Sequence, residues 1–170
     1  MGNELLFVRK ALKEFCGNGV EAIDLGCGYG RNSLFLMNNG FNVTAVDWHR
    51  DCLASIKRKS DRIITVQADL AKYDFVKEYD FILCTFVLHY FDKNTAQRLV
   101  REMVEHLKKG GVLAIALMKI PQRLGLDDLL NGVLGLSTIN LVEKSIHDDP
   151  HAGANYPHNH DVIFYIGTKK

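Results

Sequence analysis

The 170-residue sequence lacks three features that would assign it to a specialised class of protein. Its formal net charge is only +1, from 21 Lys and Arg against 20 Asp and Glu, so it has no broad basic surface of the kind that nucleic-acid binders carry. No apolar run approaches the roughly 20 residues that a membrane-spanning helix needs. Its four cysteines form no CxxC pair, which is typical of free thiols in a reducing compartment. We therefore expect a soluble cytoplasmic protein without a nucleic-acid partner, a membrane partner or a metal site.

The features that are present are those of an ordinary globular protein. Hydrophobic residues make up 47% of the chain and charged residues 24%, close to the averages for soluble domains. A chain of this length builds one adequate core and would leave each of two domains short of apolar residues. The opening residues are amphipathic, which does not resemble a signal peptide. We expect a single domain over residues 1–170, present as a monomer or a homodimer.

Strand-like and helix-like segments alternate along most of the sequence. Short apolar runs predict strands at 20–25, 42–46, 63–68, 80–87 and 112–118. Apolar spacing predicts helices before the first strand, after the first and second strands, and at 94–109. Beyond Met118 we predict a helix over 124–136 and two strands, 141–146 and 162–168, joined by a long polar loop. The alternation implies right-handed βαβ crossovers. The predicted fold class is a three-layer, doubly wound α/β sheet that is mostly parallel and ends in an antiparallel hairpin.

A glycine-rich turn and three carboxylates carry the chemistry. Gly26-x-Gly28-x-Gly30 follows the first predicted strand, and such a turn lets a ligand approach the backbone and the amides at a helix start. Aspartates end the first three strands, at the sheet edge where open α/β folds bind ligands. Asp47 suits a ribose, although NAD enzymes use the same device. Arg31 stands where the dinucleotide fingerprint has glycine or alanine. The alternative is a plain turn with aspartates that cap helices.

Segments 22–33 and 43–47 resemble the class I S-adenosylmethionine-dependent methyltransferases, particularly the small tellurite-resistance-type enzymes, and the resemblance covers about 20–119. It implies a Rossmann-like methyltransferase sheet and S-adenosyl-L-methionine as cofactor. In that family the glycine loop holds the methionine part, the second acid the ribose, and the third acid with its neighbours the adenine. The cofactor-binding residues implied here are Asp24, Gly26, Cys27, Gly28, Gly30, Arg31, Asn32, Asp47, Trp48, Asp69, Leu70 and Thr85.

The sequence also restricts what is methylated. Enzymes that methylate nucleobase amines carry an Asn/Asp-Pro-Pro-aromatic motif after strand four, where this chain has Cys84-Thr85-Phe86-Val87. The resemblance favours a small-molecule acceptor, namely a thiol or a selenium or tellurium oxyanion. In-line methyl transfer needs positioning more than a reactive side chain, so no catalytic residue is named. Only 23 residues precede Asp24, fewer than in many relatives. The alternative is therefore a cofactor-binding module without its own catalysis, working as a subunit.

Histidines supply the candidate substrate-binding residues. His89 and Tyr90 follow the fourth predicted strand and lie at the same sheet edge; alternatively, they pack in an aromatic cluster with neighbouring Phe residues. Residues 147–160 hold four of the seven histidines, including His158 and His160. These histidines either mark the ends of two strands in a solvated turn or recognise the substrate, because neutral histidine acts near pH 7. A metal pair is the third interpretation, although no ligand pattern specific to zinc is present.

Overall fold

The computed structural model of the chain describes residues 3–18, 20–119, 125–148 and 158–170. The strands are β1 Glu21–Leu25, β2 Asn42–Asp47, β3 Ile64–Gln67, β4 Tyr79–Thr85, β5 Leu107–Met118, β6 Leu136–Asp148 and β7 His158–Lys169. The helices are α1 Asn3–Lys13, α2 Arg31–Asn38, α3 Arg50–Lys59, α4 Lys93–Glu105 and α5 Leu126–Leu130. Two short 3₁₀ turns lie at Leu70–Lys72 and Leu88–Tyr90. The predicted alternation of strands and helices is confirmed up to Met118.

The seven described strands form one sheet in the order β3-β2-β1-β4-β5-β7-β6. The first five are parallel, and Ile23 of β1 lies opposite Thr44 of β2 on one side and Ile82 of β4 on the other. β7 runs antiparallel to both β5 and β6. The predicted fold class, with its C-terminal hairpin, is confirmed. Because the chain winds outward in both directions from β1, the crevice outside the carboxyl ends of β1 and β4 is the topological switch point.

Alternate residues of the central strands bury apolar side chains on both faces of the sheet. On one face Ile23 and Ile82 pack in a cluster with Leu99 of α4. On the other face Phe81 belongs to a cluster with Leu36 of α2. This burial on both sides explains why the strands are almost continuously apolar. In the part of the chain that the structure describes, no helix combines the length and the apolar character required to cross a bilayer.

The boundary between α4 and β5 differs from the prediction. The helix expected over 94–109 ends at Glu105, and β5 begins at Leu107 and continues through both glycines. A Cβ at Gly111 would lie 2.8 Å from the carbonyl oxygen of Lys108 and 3.0 Å from that of Asp80. Gly111 therefore permits close backbone approach where the β4–β5 register shifts, and Gly110 takes a left-handed φ of +76°.

The predictions for the C-terminal third were only partly correct. Of the helix expected over 124–136, the structure has Leu126–Leu130, and left-handed glycines at Gly132 (φ +76°) and Gly135 (φ +85°) follow it. Both hairpin strands are longer than predicted because β6 and β7 pair continuously out to Asp148 and His158, except for one register shift between Thr138 and Asn140. Residues 149–157 of the predicted loop lie outside the described residues.

Candidate functional site

The glycine loop between β1 and α2 places three residues in the left-handed region. Gly26, Gly28 and Gly30 have φ of +69°, +51° and +78°, a conformation that costs L-residues about 1–2 kcal/mol each. A Cβ at Gly26 would lie 2.1 Å from Val87 Cγ2, and one at Gly30 would lie 2.4 Å from Ile56 Cγ1. A Cβ at Gly28 would meet nothing within 4 Å. Two of the glycines therefore allow packing, whereas Gly28 faces open space.

Asp47 holds this loop in place. Its carboxylate follows β2, is only 7% exposed, and accepts one backbone N–H on each oxygen. Oδ2 accepts the Gly28 N–H at 2.8 Å and Oδ1 accepts the His49 N–H at 2.8 Å. Each carboxylate oxygen keeps a further lone pair, so the group can still accept hydroxyl groups from a ligand.

Arg98, a residue that the sequence analysis missed, helps to fix the turn that follows β3. Asp69 caps the short turn Leu70–Lys72, accepting the Ala71 N–H at 2.9 Å. Arg98 of α4 donates to the carbonyl oxygens of Leu70 and Ala71 at 3.2 and 2.8 Å, and also pairs with Glu102. The spacing of four residues between Arg98 and Glu102 predicts an ion pair on the surface of a helix. It does not predict that the Arg98 guanidinium contacts the turn Leu70–Lys72.

Asp24, at the end of β1, is the most buried acid of the site. It is 1% exposed, and its Oδ2 accepts the Ser33 hydroxyl at 2.6 Å; Oδ1 has no partner among the described residues. Burial raises its pKa to about 6, against the opposing effect of the Ser33 hydrogen bond. Asp24 therefore contacts the first turn of α2 through Ser33.

The other predicted loop residues differ in their surroundings. Asn32 is 6% exposed and donates through Nδ2 to Thr85 Oγ1 at 3.1 Å, which links α2 to the end of β4. Its Oδ1 has no partner among the described residues. The Cys27 thiol lies 3.6 Å from the Gly28 carbonyl oxygen, and burial raises its pKa. Arg31 is exposed at the start of α2.

A cavity of about 780 Å³ lies at the switch point of the sheet. It is lined by Gly26, Asp47, Trp48, Ala68, Asp69, Leu70, Phe86, Val87, Tyr90 and Phe91. Six of these residues were predicted from the sequence: Gly26, Asp47, Trp48, Asp69, Leu70 and Tyr90. Trp48 and Tyr90 expose 73% and 77% of their surface, so two aromatic side chains stand at the cavity in positions open to solvent. The cavity falls in the size range of small-molecule sites, about 300–1,000 Å³.

The wall after β4 depends on an unusual backbone turn that the sequence did not predict. Phe86 has a φ of +58°. Among the described residues it is the one non-glycine residue with a positive φ. Its N–H donates to the Ala116 carbonyl oxygen at 2.7 Å. The turn ends β4 at Thr85, two residues before the predicted end, and brings Val87 against Gly26. Such strained residues cluster at ligand sites.

The predicted histidines are not gathered at the cavity. His89 is 4% exposed and packs beside Tyr90, with ring centroids 4.3 Å apart. His147 and His160 lie on the paired hairpin strands, where His147 Nδ1 is 2.9 Å from Asn159 Oδ1. His158 belongs to β7, and His151 lies outside the described residues. Among the described residues no cluster of three or more His, Cys, Asp or Glu could hold a metal ion.

Sequence comparisons give a consistent set of relatives. The family model described as tellurite resistance protein TehB matches residues 8–123. A probable S-adenosyl-L-methionine-dependent methyltransferase TehB from Haemophilus influenzae is 32% identical over 95 residues, 54% of this chain and 33% of the relative. A ubiquinone biosynthesis O-methyltransferase from Rickettsia conorii is 26% identical over 133 residues, 76% of this chain and 44% of the relative. The chain thus spans less than half the length of either curated relative.

Solved structures share the fold. The crystal structure of TehB from Haemophilus influenzae has a TM-score of 0.81 at 21% identity, covering 96% of this chain and 61% of that one. The N-methyltransferase NodS from Bradyrhizobium japonicum WM9, in complex with S-adenosyl-L-homocysteine, has a TM-score of 0.75 at 15% identity, covering 98% of this chain and 87% of that one. The predicted methyltransferase-type sheet is therefore confirmed as the fold.

Proposed function

Since the chain belongs to the tellurite resistance protein TehB family, we propose that it is an S-adenosylmethionine-dependent methyltransferase that acts on a small molecule. One observation supports this proposal most directly. Gly28 is the only loop glycine with free space beside its Cβ position, and its N–H donates a hydrogen bond to Asp47. Asp47 in turn lines the cavity together with Asp69. An open backbone turn and two carboxylates at successive strand ends are complementary to a long ligand with an adenosine and an amino-acid end.

The residues present fit this cofactor. The space beside Gly28 would take the methionine part, which a side chain there would exclude. Asp47 would accept the ribose hydroxyls on its remaining lone pairs, and Trp48, Asp69 and Leu70 would border the adenine. The unpartnered Asn32 Oδ1 can accept a hydrogen bond from the ammonium group of the methionine part.

Six further residues keep supporting roles in the proposed site. Gly26 and Gly30 let the loop pack against Val87 and Ile56, and Thr85 holds Asn32 in position. Cys27 lies within the loop, and Asp24 and Arg31 lie on either side of it; none of the three lines the cavity. For Asp24 the proposed role is indirect, because its carboxylate contacts Ser33 in the first turn of α2.

The cofactor, when bound, supplies an electrophilic methyl group on a sulfonium sulfur. The residues of the chain position the two reactants. The loop and the strand-end acids hold the cofactor, and the wall after β4 shapes the space for the methyl acceptor. Holding two reactants in line removes much of the entropic barrier, so a protein nucleophile is not required. Phe86, Tyr90 and Phe91 give that space a largely apolar, aromatic wall.

For the acceptor we propose a small thiol or a selenium or tellurium oxyanion. Cavity carboxylates are found after β2 and β3, whereas the described wall after β4 offers aromatic rings and no acid. His89 and Tyr90 are the nearest candidates for acceptor contacts. His158 and His160 lie at the start of β7, and the cavity lining does not include His160. For these two residues we propose only that they lie at the end of the sheet that carries the cavity.

Two measurements test this function. Calorimetry should show micromolar binding of S-adenosylhomocysteine and none of NAD; the reverse result would overturn the cofactor assignment. A screen with methyl-labelled S-adenosylmethionine against small thiols, selenite and tellurite should then identify an acceptor. Cofactor binding with no labelled product from any of these, but with product from an amine, would contradict the proposed acceptor class.

A further inference from the structure

The connection between β3 and β4, all of whose residues the structure describes, contains no α-helix, although the connections β1–β2, β2–β3 and β4–β5 each contain one. It has only the three-residue 3₁₀ turn Leu70–Lys72. A helical turn of this length makes too few hydrogen bonds to be stable alone. Asp69 and Leu70, where the turn begins, nevertheless line the cavity. The position of this part of the cavity therefore depends on contacts from elsewhere in the molecule.

Arg98 supplies such contacts from α4. Its Nη2 donates to the carbonyl oxygens of Leu70 at 3.2 Å and of Ala71 at 2.8 Å. Its Nη1 donates to Glu102 Oε1 at 2.6 Å, one turn further along the helix. The guanidinium is a planar fork, so an ion pair that fixes one arm also fixes the direction of the other. Glu102 thus directs the second arm of Arg98 toward the turn.

The turn is also bonded to the carboxylate at its start. Asp69 Oδ1 accepts the Ala71 N–H at 2.9 Å, and the Asp69 carbonyl oxygen accepts the Lys72 N–H at 2.9 Å. The carboxylate uses Oδ1 for the turn, and Oδ2 can accept a hydrogen bond from a ligand. Because the Asp69 side chain and the turn are bonded to each other, a tilt of the turn would move this oxygen.

The far end of the same connection has a separate contact. Phe75 stacks on His106, which follows α4, with ring centroids 4.9 Å apart and ring planes 17° apart. This contact does not involve Arg98, so it would hold the rest of the connection in a variant that lacks the guanidinium. Removal of the guanidinium should therefore loosen the turn at the cavity and leave the remainder of the connection in place.

Resting on the proposed function, we propose that Arg98 is a positioning residue for the adenine end of the cofactor. Arg98 is not among the residues that line the cavity, so it acts through the turn. By holding the carbonyl groups of Leu70 and Ala71, it keeps Asp69 Oδ2 where this oxygen accepts the 6-amino group of adenine. Binding is then selective for a base with an amino group at this position, because a 6-oxo group would bring a second acceptor against the carboxylate.

Amide hydrogen exchange of the ligand-free protein tests the hold on the turn independently of any ligand. Arg98→Met keeps a long side chain but has no donor. We expect the Ala71 and Lys72 amides of this variant to exchange about tenfold faster than in the wild type, the effect of losing hydrogen bonds that restrain local opening. Exchange at the wild-type rate for both amides would overturn the inference.

Gln97→Met is the matched control. Gln97 precedes Arg98 on α4, and its Nε2 donates to the carbonyl oxygen of Asp128 at 2.7 Å. This variant also removes a hydrogen bond from an α4 side chain to a backbone carbonyl, but the bond leads to α5, none of whose residues is among those that line the cavity. It should leave the exchange of the Ala71 and Lys72 amides unchanged.

Ligand selectivity gives a second readout, which a general loss of stability would not move. Calorimetry compares S-adenosylhomocysteine with S-inosylhomocysteine, in which an oxygen replaces the 6-amino group. We expect the wild type to prefer the adenine ligand about 10- to 150-fold, the effect of one hydrogen bond to a charged group, and Arg98→Met to reduce this preference to about threefold or less. Gln97→Met should keep the wild-type preference.

The outcomes distinguish this inference from the proposed function. A wild type that binds neither ligand would overturn the proposed function, and with it the role of Asp69. If the wild type binds both ligands equally, or if Arg98→Met keeps the wild-type preference, the role of Arg98 is wrong and the function stands. Should Arg98→Met fail to fold, Arg98→Lys takes its place, because it keeps the charge and lacks the planar fork. It should show the same changes to a smaller extent, and wild-type exchange and selectivity in this variant would contradict the inference.

Discussion

The two halves of the cavity are built in different ways. On the side of β1 to β3, Asp47, Asp69 and the backbone of Gly26 line the space, and Asp47 is fixed by two backbone N–H groups at 2.8 Å each. On the side of β4, the wall is formed by the aromatic rings of Tyr90 and Phe91, by Val87 and by Phe86, whose φ is positive. The first half carries both cavity carboxylates, and the second is mostly aromatic. We infer that binding and acceptor choice are physically separable in this fold.

The largest effect that would test this division is expected at Gly28. Gly28→Val places a branched side chain in the space proposed for the cofactor, since nothing in the protein occupies it within 4 Å of the new Cβ. We expect calorimetry to detect no binding of S-adenosylhomocysteine. The left-handed backbone should cost about 1–2 kcal/mol of stability, which leaves the circular dichroism spectrum folded.

Gly40→Val is the matched control. Gly40 also has a positive φ (+94°) and open space around its Cβ position, but it follows the C-terminal end of α2, whereas Gly28 belongs to the loop before that helix. It should show a similar loss of stability with unchanged binding. Equal binding by the Gly28 and Gly40 variants would place the ligand elsewhere.

The next largest effect is expected in the pH dependence of the free energy of unfolding, and it concerns Asp24, the buried acid at the end of β1. Because the folded pKa of Asp24 is raised from 3.8 to about 6, the folded state binds a proton more tightly than the unfolded state, and stability falls as pH rises through that window. Relative to Asp24→Asn, the wild type should lose about 3 kcal/mol of unfolding free energy between pH 3.5 and 7. Urea unfolding across that range measures the difference.

Ser33→Ala sharpens this prediction. The Ser33 hydroxyl stabilises the charged form of Asp24, so its removal should move the window to higher pH. A wild type and an Asp24→Asn variant with parallel stability profiles would show that Asp24 is not protonated in this range.

A somewhat smaller loss is expected at Asp47. Hydrogen bonds to a charged group contribute about 1.5–3 kcal/mol, so Asp47→Ala should weaken binding of S-adenosylhomocysteine roughly 10- to 150-fold. Asp47→Asn should recover part of this, because its amide oxygen can still accept one of the two backbone N–H groups. Asp51→Ala, at an exposed acid on α3, should change affinity far less. Equal losses at both positions would mean that general charge, and not a specific contact, sets affinity.

The smallest effects are expected at two aromatic residues, one from each half of the cavity. Trp48→Ala should weaken S-adenosylhomocysteine binding by roughly 2- to 13-fold, since aromatic stacking contributes about 0.5–1.5 kcal/mol. Tyr90→Ala should leave that affinity within about twofold and instead raise the KM for the acceptor. Both residues line the cavity and are similarly exposed, which makes them a fair pair. Calorimetry showing equal losses for the two variants would contradict the division of the cavity.

Most of the fold and the first half of the site could be predicted from the sequence. Asp24, Asp47 and Asp69 each follow an apolar run directly, and parallel strands bring their carboxyl ends to one edge, so chain order alone placed them together. The hairpin was predicted less well. Its extent depends on pairing between β6 and β7, which apolar periodicity within either segment does not report.

The sequence by itself determined the alternation of strands and helices, the glycine turn and the acids at the strand ends, because each depends on neighbours within a few residues. Tertiary structure decided which loop glycine packs against Val87, which turn Arg98 holds and which ring nitrogen of His89 meets the Met118 N–H. These outcomes depend on Val87, Leu70 and Met118, which lie between 28 and 61 residues away along the chain. Contacts of that kind are fixed only when the sheet register brings distant segments together, so no local pattern in the sequence could reveal them.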